Sequence, residues 1–145
     1  MIQDKRLRGF TLIEIMVVVV ILGILAALVV PTIMSRPDQA KATVARTDVN
    51  AIASALEMYR LDNGFYPSAE QGLDALVTEP SGSPEPRRWN PDGYLPKLPI
   101  DPWGRPYQYD VPGTHNPRSF DVYSLGADGR VGGDGVNAEV GNWKD

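Results

Sequence analysis

The sequence predicts an α+β protein in which one long N-terminal helix, apolar in its first half, packs in its second half on a small antiparallel sheet. Three observations carry this. Residues 10–34, FTLIEIMVVVVILGILAALVVPTIM, are apolar almost throughout. Beyond them Ala45, Val49, Ile52, Leu56 and Tyr59 recur at helical spacing, with Lys41, Arg46, Asp48 and Glu57 off that face. Near the C-terminal end, 106–110 and 119–124 alternate as strands do, on either side of a Pro112–Pro117 turn.

The long helix is expected over about 10–62. At ~1.5 Å rise per residue, its apolar half is long enough to cross a ~30 Å hydrocarbon core. Charge is placed unevenly around it. Lys5, Arg6 and Arg8 against Asp4 make the first nine residues +2, so the rest carries −6 of a total of −4. The basic end should stay cytoplasmic and the rest lie on the far side of the membrane. A secretory signal peptide has a shorter apolar core and a small-residue cleavage site after it, which this run does not fit. An ordinary single-span anchor would gain nothing from Glu14, since a carboxylate costs about 2.5–3.5 kcal/mol in the span.

Cleavage after Gly9 accounts for Glu14. Phe10 then becomes the N-terminus, and its amine lies one helical turn from the Glu14 carboxylate. An ammonium and a carboxylate are each costly alone in hydrocarbon and tolerable as a pair. Within one chain they can meet; between chains the same pair would set the axial stagger of neighbouring helices. Gly9, with no Cβ, lets a protease approach the backbone closely. Gly23 and Pro31 fall inside the apolar run. Proline removes a backbone donor, so a kink is expected near 27–31, or else Pro31 sits at the membrane exit where a kink costs little.

The second half of the helix should end at Asn63-Gly64. Its apolar stripe is read as core, with a partner-binding surface as the other reading. Ser68 and Gln71 have capping-box spacing ahead of a short helix at 72–77. Residues 78–106 are too rich in proline for regular structure. Their aromatic and apolar members, among them Trp89, Tyr94, Leu95, Leu98 and Trp103, suggest an ordered loop pinned to the core. A short third strand should follow near the C-terminus.

Composition narrows the function classes. The 145 residues allow one modest domain and a helical appendage. The acidic head offers no clustered Lys/Arg for nucleic acid. Cysteine is absent, which excludes disulfides, thiolate nucleophiles and Cys-metal sites. His115 is the only histidine and falls in a turn, where exposure is expected. Nucleophile-elbow and phosphate-loop motifs are missing, so no catalytic residue is assigned.

Residues 125–139, LGADGRVGGDGVNAE, combine many glycines with oxygen-bearing side chains at Asp128, Asp134, Asn137 and Glu139. Calcium takes six to eight hard oxygen ligands, and a glycine-rich loop can turn carbonyls inward. The loop fails as an EF-hand, because Arg130 and Gly132 would occupy positions 3 and 5. Composition alone leaves a calcium loop and a solvated acidic turn both open.

The basic leader ending in Gly9, followed by Phe10-Thr11-Leu12-Ile13-Glu14 and an apolar helix, resembles the class III signal of type IV pilins and pseudopilins. The Asp101–Tyr109 segment (DPWGRPYQY), the Ser124–Gly129 loop (SLGADG) and Gly141-Asn142-Trp143 are similar to the signature of major pseudopilins of the type II secretion system. Type IV pilins usually close their C-terminal loop with a disulfide, and this chain has no cysteine.

The resemblance implies a pilin-like fold with three parts: a cleaved leader at 1–9, a transmembrane and fibre-core helix at 10–34, and a periplasmic head at 35–145. It implies cleavage between Gly9 and Phe10 by a prepilin peptidase, N-methylation of Phe10, and extension of the helix near Pro31 on assembly. The implied partners are further copies of the chain, minor pseudopilins and an ATPase-driven inner-membrane assembly platform, in a periplasmic fibre that pushes folded proteins through an outer-membrane secretin. The alternative is a minor, tip or cargo-binding subunit. The implied calcium ligands are Leu125 and Arg130 through their carbonyls, and Asp128, Asp134 and Asn137 through their side chains, with Glu139 as a substitute.

Overall fold

The computed structural model describes residues 9–144 and, within them, says nothing of the side chains of residues 29–36. Helix α1 spans Leu12–Asn63. The chain divides into two compact units between Pro37 and Asp38.

In the first unit every apolar side chain larger than alanine from Leu12 to Leu28 is half or more exposed, from 80% at Leu12 to 50% at Ile21. Nothing among the described residues of its own unit covers this stretch. Among the described residues no helix is long and apolar enough to cross a membrane, because the apolar run continues past Leu28 into residues 29–36. The expected kink near Pro31 also falls among residues whose side chains lie outside the described ones, as does the leader up to Arg8.

The second unit is organised by the predicted stripe. Ala45, Val49, Ile52, Leu56 and Tyr59 are all fully buried, while Lys41, Arg46 and Glu57 stay exposed. Burying a side chain such as Ile52 or Leu56 contributes about 1.5–3 kcal/mol. Asp48, also off the stripe, is half-buried and accepts the Tyr107 hydroxyl at 2.7 Å. That bond ties α1 to the residue just before the first strand. Tyr107, Phe120, Val122, Leu73 and Leu76 complete the core.

Ser68 and Gln71 form the expected reciprocal capping box, with Ser68 N–H donating to Gln71 Oε1 (3.0 Å) and Gln71 N–H to Ser68 Oγ (3.1 Å). The box closes the turn ahead of the expected helix, with Gly72 N–H donating to the Ser68 carbonyl (2.9 Å), and the helix itself is a short 3₁₀ element, Leu73–Leu76, whose N-cap Gly72 makes no side-chain capping bond. The 78–106 loop is pinned as expected. Trp89 Nε1 donates to the Ala75 carbonyl (2.9 Å), and the N–H groups of Tyr94 and Leu95 donate to that of Leu76 (2.7 and 3.1 Å).

The sheet contains β1 (Gln108–Asp110), β2 (Asp121–Ser124) and β3 (Val140–Gly141), all antiparallel in the order β1-β2-β3. Tyr109 faces Val122, and Asp110 faces Asp121. Both long strands are shorter than their alternating patterns. Pro106 has no N–H to donate and makes only an isolated bridge to Ile100. Ser119 spends its N–H on the Asn116 carbonyl within the turn (2.9 Å).

Candidate functional site

The predicted processing segment lies at the entry to α1. Gly9 and Phe10 precede the helix, and Phe10 is 82% exposed. A Cβ built on Gly9 would meet nothing within 4 Å among the described residues. Thr11 N–H donates to Glu14 Oε2 (3.0 Å), Thr11 Oγ1 contacts the same oxygen (3.3 Å), and Glu14 N–H donates to Thr11 Oγ1 (3.3 Å). This is a capping box. The Thr-x-x-Glu spacing that signals it is plain at 11–14, yet sequence reasoning assigned Glu14 only to the amine that cleavage creates. The Glu14 carboxylate thus already accepts from the Thr11 N–H and hydroxyl at the helix start.

The C-terminal loop joins β2 to β3. The side chains of Asp128, Arg130, Asp134 and Asn137 are exposed, and Leu125 is half-buried. The loop folds back on itself: Ala127 N–H donates to the Val136 carbonyl (2.9 Å), and Asn137 N–H donates to that of Asp134 (3.1 Å). Asp128 Oδ1 accepts the Arg130 N–H at 3.1 Å. Gly126 has φ +78, and a Cβ there would lie 2.7 Å from the Ala138 carbonyl oxygen and 2.8 Å from that of Asn137. Only glycine fits that approach.

Among the described residues no group of three His, Cys, Asp or Glu side chains is placed to hold a metal ion. The predicted set contains two carboxylates, one amide and carbonyls, all hard oxygens. Its chemistry fits calcium and does not fit a softer metal. Glu139 is half-buried beside Val131 of the loop. It lines a small cleft of about 140 Å³ with Asp110, Asp121, Tyr123, His115 and Trp143. His115 is exposed, as expected of a turn residue, but stacks on Trp143 with ring centroids 3.9 Å apart. Tyr123 donates to Asp110 Oδ2 (3.0 Å). Burial, that bond and the charges of Asp110, Glu139 and Asp121 push its hydroxyl up to about 12.

One residue at the loop escaped the sequence reading. Arg105 donates through Nη1 to the Gly126 carbonyl (2.9 Å) and through Nη2 to that of Ala127 (3.2 Å). Its position in the DPWGRPYQY segment gives no local sign that it reaches twenty residues onward.

Residues 4–30 match the prokaryotic N-terminal methylation motif. With a long helix, a small antiparallel sheet and an uncovered apolar helical stretch, that motif defines a pilin-like subunit. Residues 32–143 match the family described as "Type II secretion system (T2SS), protein G". The type II secretion system core protein G of Pseudomonas aeruginosa is 67% identical over 141 residues, 97% of this chain and 98% of that protein. That of Vibrio cholerae is 52% identical over 139 residues, covering 96% and 93%. The crystal structure of the major pseudopilin of enterohaemorrhagic Escherichia coli aligns with TM-score 0.66 at 44% identity, covering 76% of this chain and 88% of that one. The chain belongs to the type II secretion system protein G family, the major pseudopilins.

Proposed function

We propose that this chain is inserted in the bacterial inner membrane with Lys5, Arg6 and Arg8 cytoplasmic and its head periplasmic. A prepilin peptidase cuts between Gly9 and Phe10, and Phe10 is N-methylated. The subunit then polymerises into the periplasmic pseudopilus that drives folded proteins through the outer-membrane secretin. The observation that carries this reading is the apolar stretch Leu12–Leu28, half or more exposed along its length. A surface of that size is covered by lipid or by partner helices. A heterologous helix contact whose rotation does not close yields an open filament. In that setting the Phe10 amine and Glu14 set the stagger between copies. The fibre also takes minor pseudopilins and contacts the inner-membrane assembly platform.

Intact mass and N-terminal sequencing of the mature protein test the processing step. The expected start is methylated Phe10; a start after residue 25 would restore an ordinary signal peptide. Overproduction with its secretion machinery should give long fibres. A tip subunit would give none.

The C-terminal loop is read as a calcium site. Leu125 and Arg130 would contribute carbonyls, and Asp128, Asp134 and Asn137 side-chain oxygens. Support comes from the all-oxygen donor set and the glycine-tight fold of the loop. When bound, calcium would crosslink a loop that no disulfide closes, in a head small enough to profit from it. Calcium should raise the melting temperature of the full chain in detergent, and Asp128→Ala should abolish the rise. An unchanged wild-type melt sinks the site.

A further inference from the structure

The loop between β2 and β3 is gripped by a residue from the opposite side of the sequence. Besides its two bonds to the carbonyls of Gly126 and Ala127, Arg105 is fixed through its own main chain. Its N–H donates to Asp101 Oδ1 (2.8 Å), and its carbonyl accepts the Asp101 N–H (2.8 Å). Asp101 is buried, and its Oδ2 accepts the Ser124 hydroxyl (2.7 Å). The Ser124 oxygen accepts the Gly126 N–H in turn (3.2 Å). The chain Arg105–Asp101–Ser124–Gly126 thus closes on itself. The guanidinium also lies against Gly129, where a Cβ would fall 2.6 Å from Arg105 Cζ.

We propose that Arg105 is the positioning residue of the calcium loop, fixing the peptide planes at Gly126 and Ala127 before the cation arrives. The inference rests on the calcium reading above. A carbonyl oxygen already 2.9 Å from a guanidinium is a poor ligand for a second cation, because the two cations would repel at close range. By taking these two carbonyls, Arg105 leaves the loop's other oxygens for the metal, among them the carbonyls of Leu125 and Arg130 and the side chains of Asp128, Asp134 and Asn137. A glycine-rich loop loses much conformational entropy on ordering. A planar two-pronged donor orders it in advance and so lowers the entropy lost on binding.

Charge and positioning predict opposite signs. Acting only as a positive charge, Arg105 would repel calcium, and its removal would tighten binding. Acting as a fork, it would leave binding weaker when replaced by lysine or by methionine.

The test is calcium titration calorimetry on the full chain in detergent, beside calcium-free melting curves. Arg105→Lys, which keeps the charge and loses the fork, and Arg105→Met should each weaken calcium about tenfold, roughly the loss of one charge-assisted hydrogen bond. Affinity within about twofold of wild type, even with a lowered calcium-free melting temperature, leaves Arg105 a structural residue and overturns the proposal. Tighter binding by Arg105→Met overturns it as well. If neither variant folds, Arg105→Gln, which keeps an amide donor but loses the charge and the fork, must weaken calcium likewise; unchanged affinity there refutes the inference. A wild type that binds no calcium removes the calcium reading and this inference with it, whereas binding that is indifferent to Arg105 removes only the inference.

Discussion

Replacing Asp121 tests how the β1–β2 hairpin is held. The Asp121 side chain is almost wholly buried, yet it accepts the N–H groups of His115 (2.7 Å) and Asn116 (3.0 Å) and the Asn116 side-chain amide (2.8 Å). Gly113 crowds the same carboxylate, since a Cβ there would fall 2.5 Å from Oδ1. Two effects compete. Burying the charge is unfavourable by several kcal/mol, and removing it relieves that penalty. Against this, a hydrogen bond to a charged group contributes about 1.5–3 kcal/mol, and three donors converge here. The turn amides lie near the surface and regain part of their loss from water. We therefore expect Asp121→Ala to cost about 3–4 kcal/mol, by the same per-bond range. For a unit of about 100 residues that is a fall in Tm of at least about 12 °C. Asp121→Asn keeps the shape and one acceptor oxygen and should cost roughly half as much. Circular dichroism melts of the full chain in detergent read both. A loss below about 1 kcal/mol for the alanine variant would mean that desolvation cancels the hydrogen bonds, and the account of the turn would fall.

The Tyr59 hydroxyl is buried with no hydrogen-bond partner among the described residues, so Tyr59→Phe should leave Tm unchanged or raise it by the equivalent of about 1 kcal/mol. A clear fall in Tm would reveal a partner for that oxygen. Burial raises five tyrosines, and alkaline stability rests chiefly on three of them. Burial first, then the Asp48 bond, raises Tyr107; burial raises Tyr109; and Tyr123 stands at about 12. Each folded value lies above the unfolded value near 10, so the unfolded chain releases protons first as pH rises. The contribution of these groups is fully present below about pH 10 and, for Tyr123, is lost between about 10 and 12. Urea melts across that range should show Tyr123→Phe losing less than wild type; an identical alkaline limb would remove Tyr123 from the account.

Much of the fold was legible because burial is periodic. The stripe from Ala45 to Tyr59 reads at helical spacing and is the observed core. Ser68 and Gln71 announce their cap by spacing. The pinned loop was legible from its aromatics, since Trp89 and Tyr94 have no reason to sit in a free linker. Other features were hidden because they depend on chain separation. The partner of Asp48 is Tyr107, and that of Arg105 is a pair of backbone carbonyls, which carry no side-chain signature. Strand ends were overestimated where Pro106 and Ser119 keep the alternating pattern but place their backbone groups outside the ladder.

Glu14 shows how one residue can satisfy two physical demands in succession. As an acid in an apolar helix it needs a partner at every stage of the subunit's life. Before cleavage the Thr11 N–H and hydroxyl are within reach of its carboxylate, and Thr11 Oγ1 caps the Glu14 N–H. Those bonds lie between Thr11 and Glu14, so the proposed cleavage after Gly9 would not remove them. It would add an ammonium at Phe10, the residue next to Thr11. A carboxylate has room for about four hydrogen bonds, and two donor contacts here leave capacity for that amine or for one from a neighbouring copy. The cap therefore need not compete with the stagger-setting pair. Thr11→Val would strip the hydroxyl while leaving the Phe10 amine, and on this reasoning it should weaken the helix start without abolishing fibre formation, whereas Glu14→Leu should abolish it. Fibre counts by electron microscopy for the two variants decide the matter, and equal loss in both would show that the cap and the pair are one interaction.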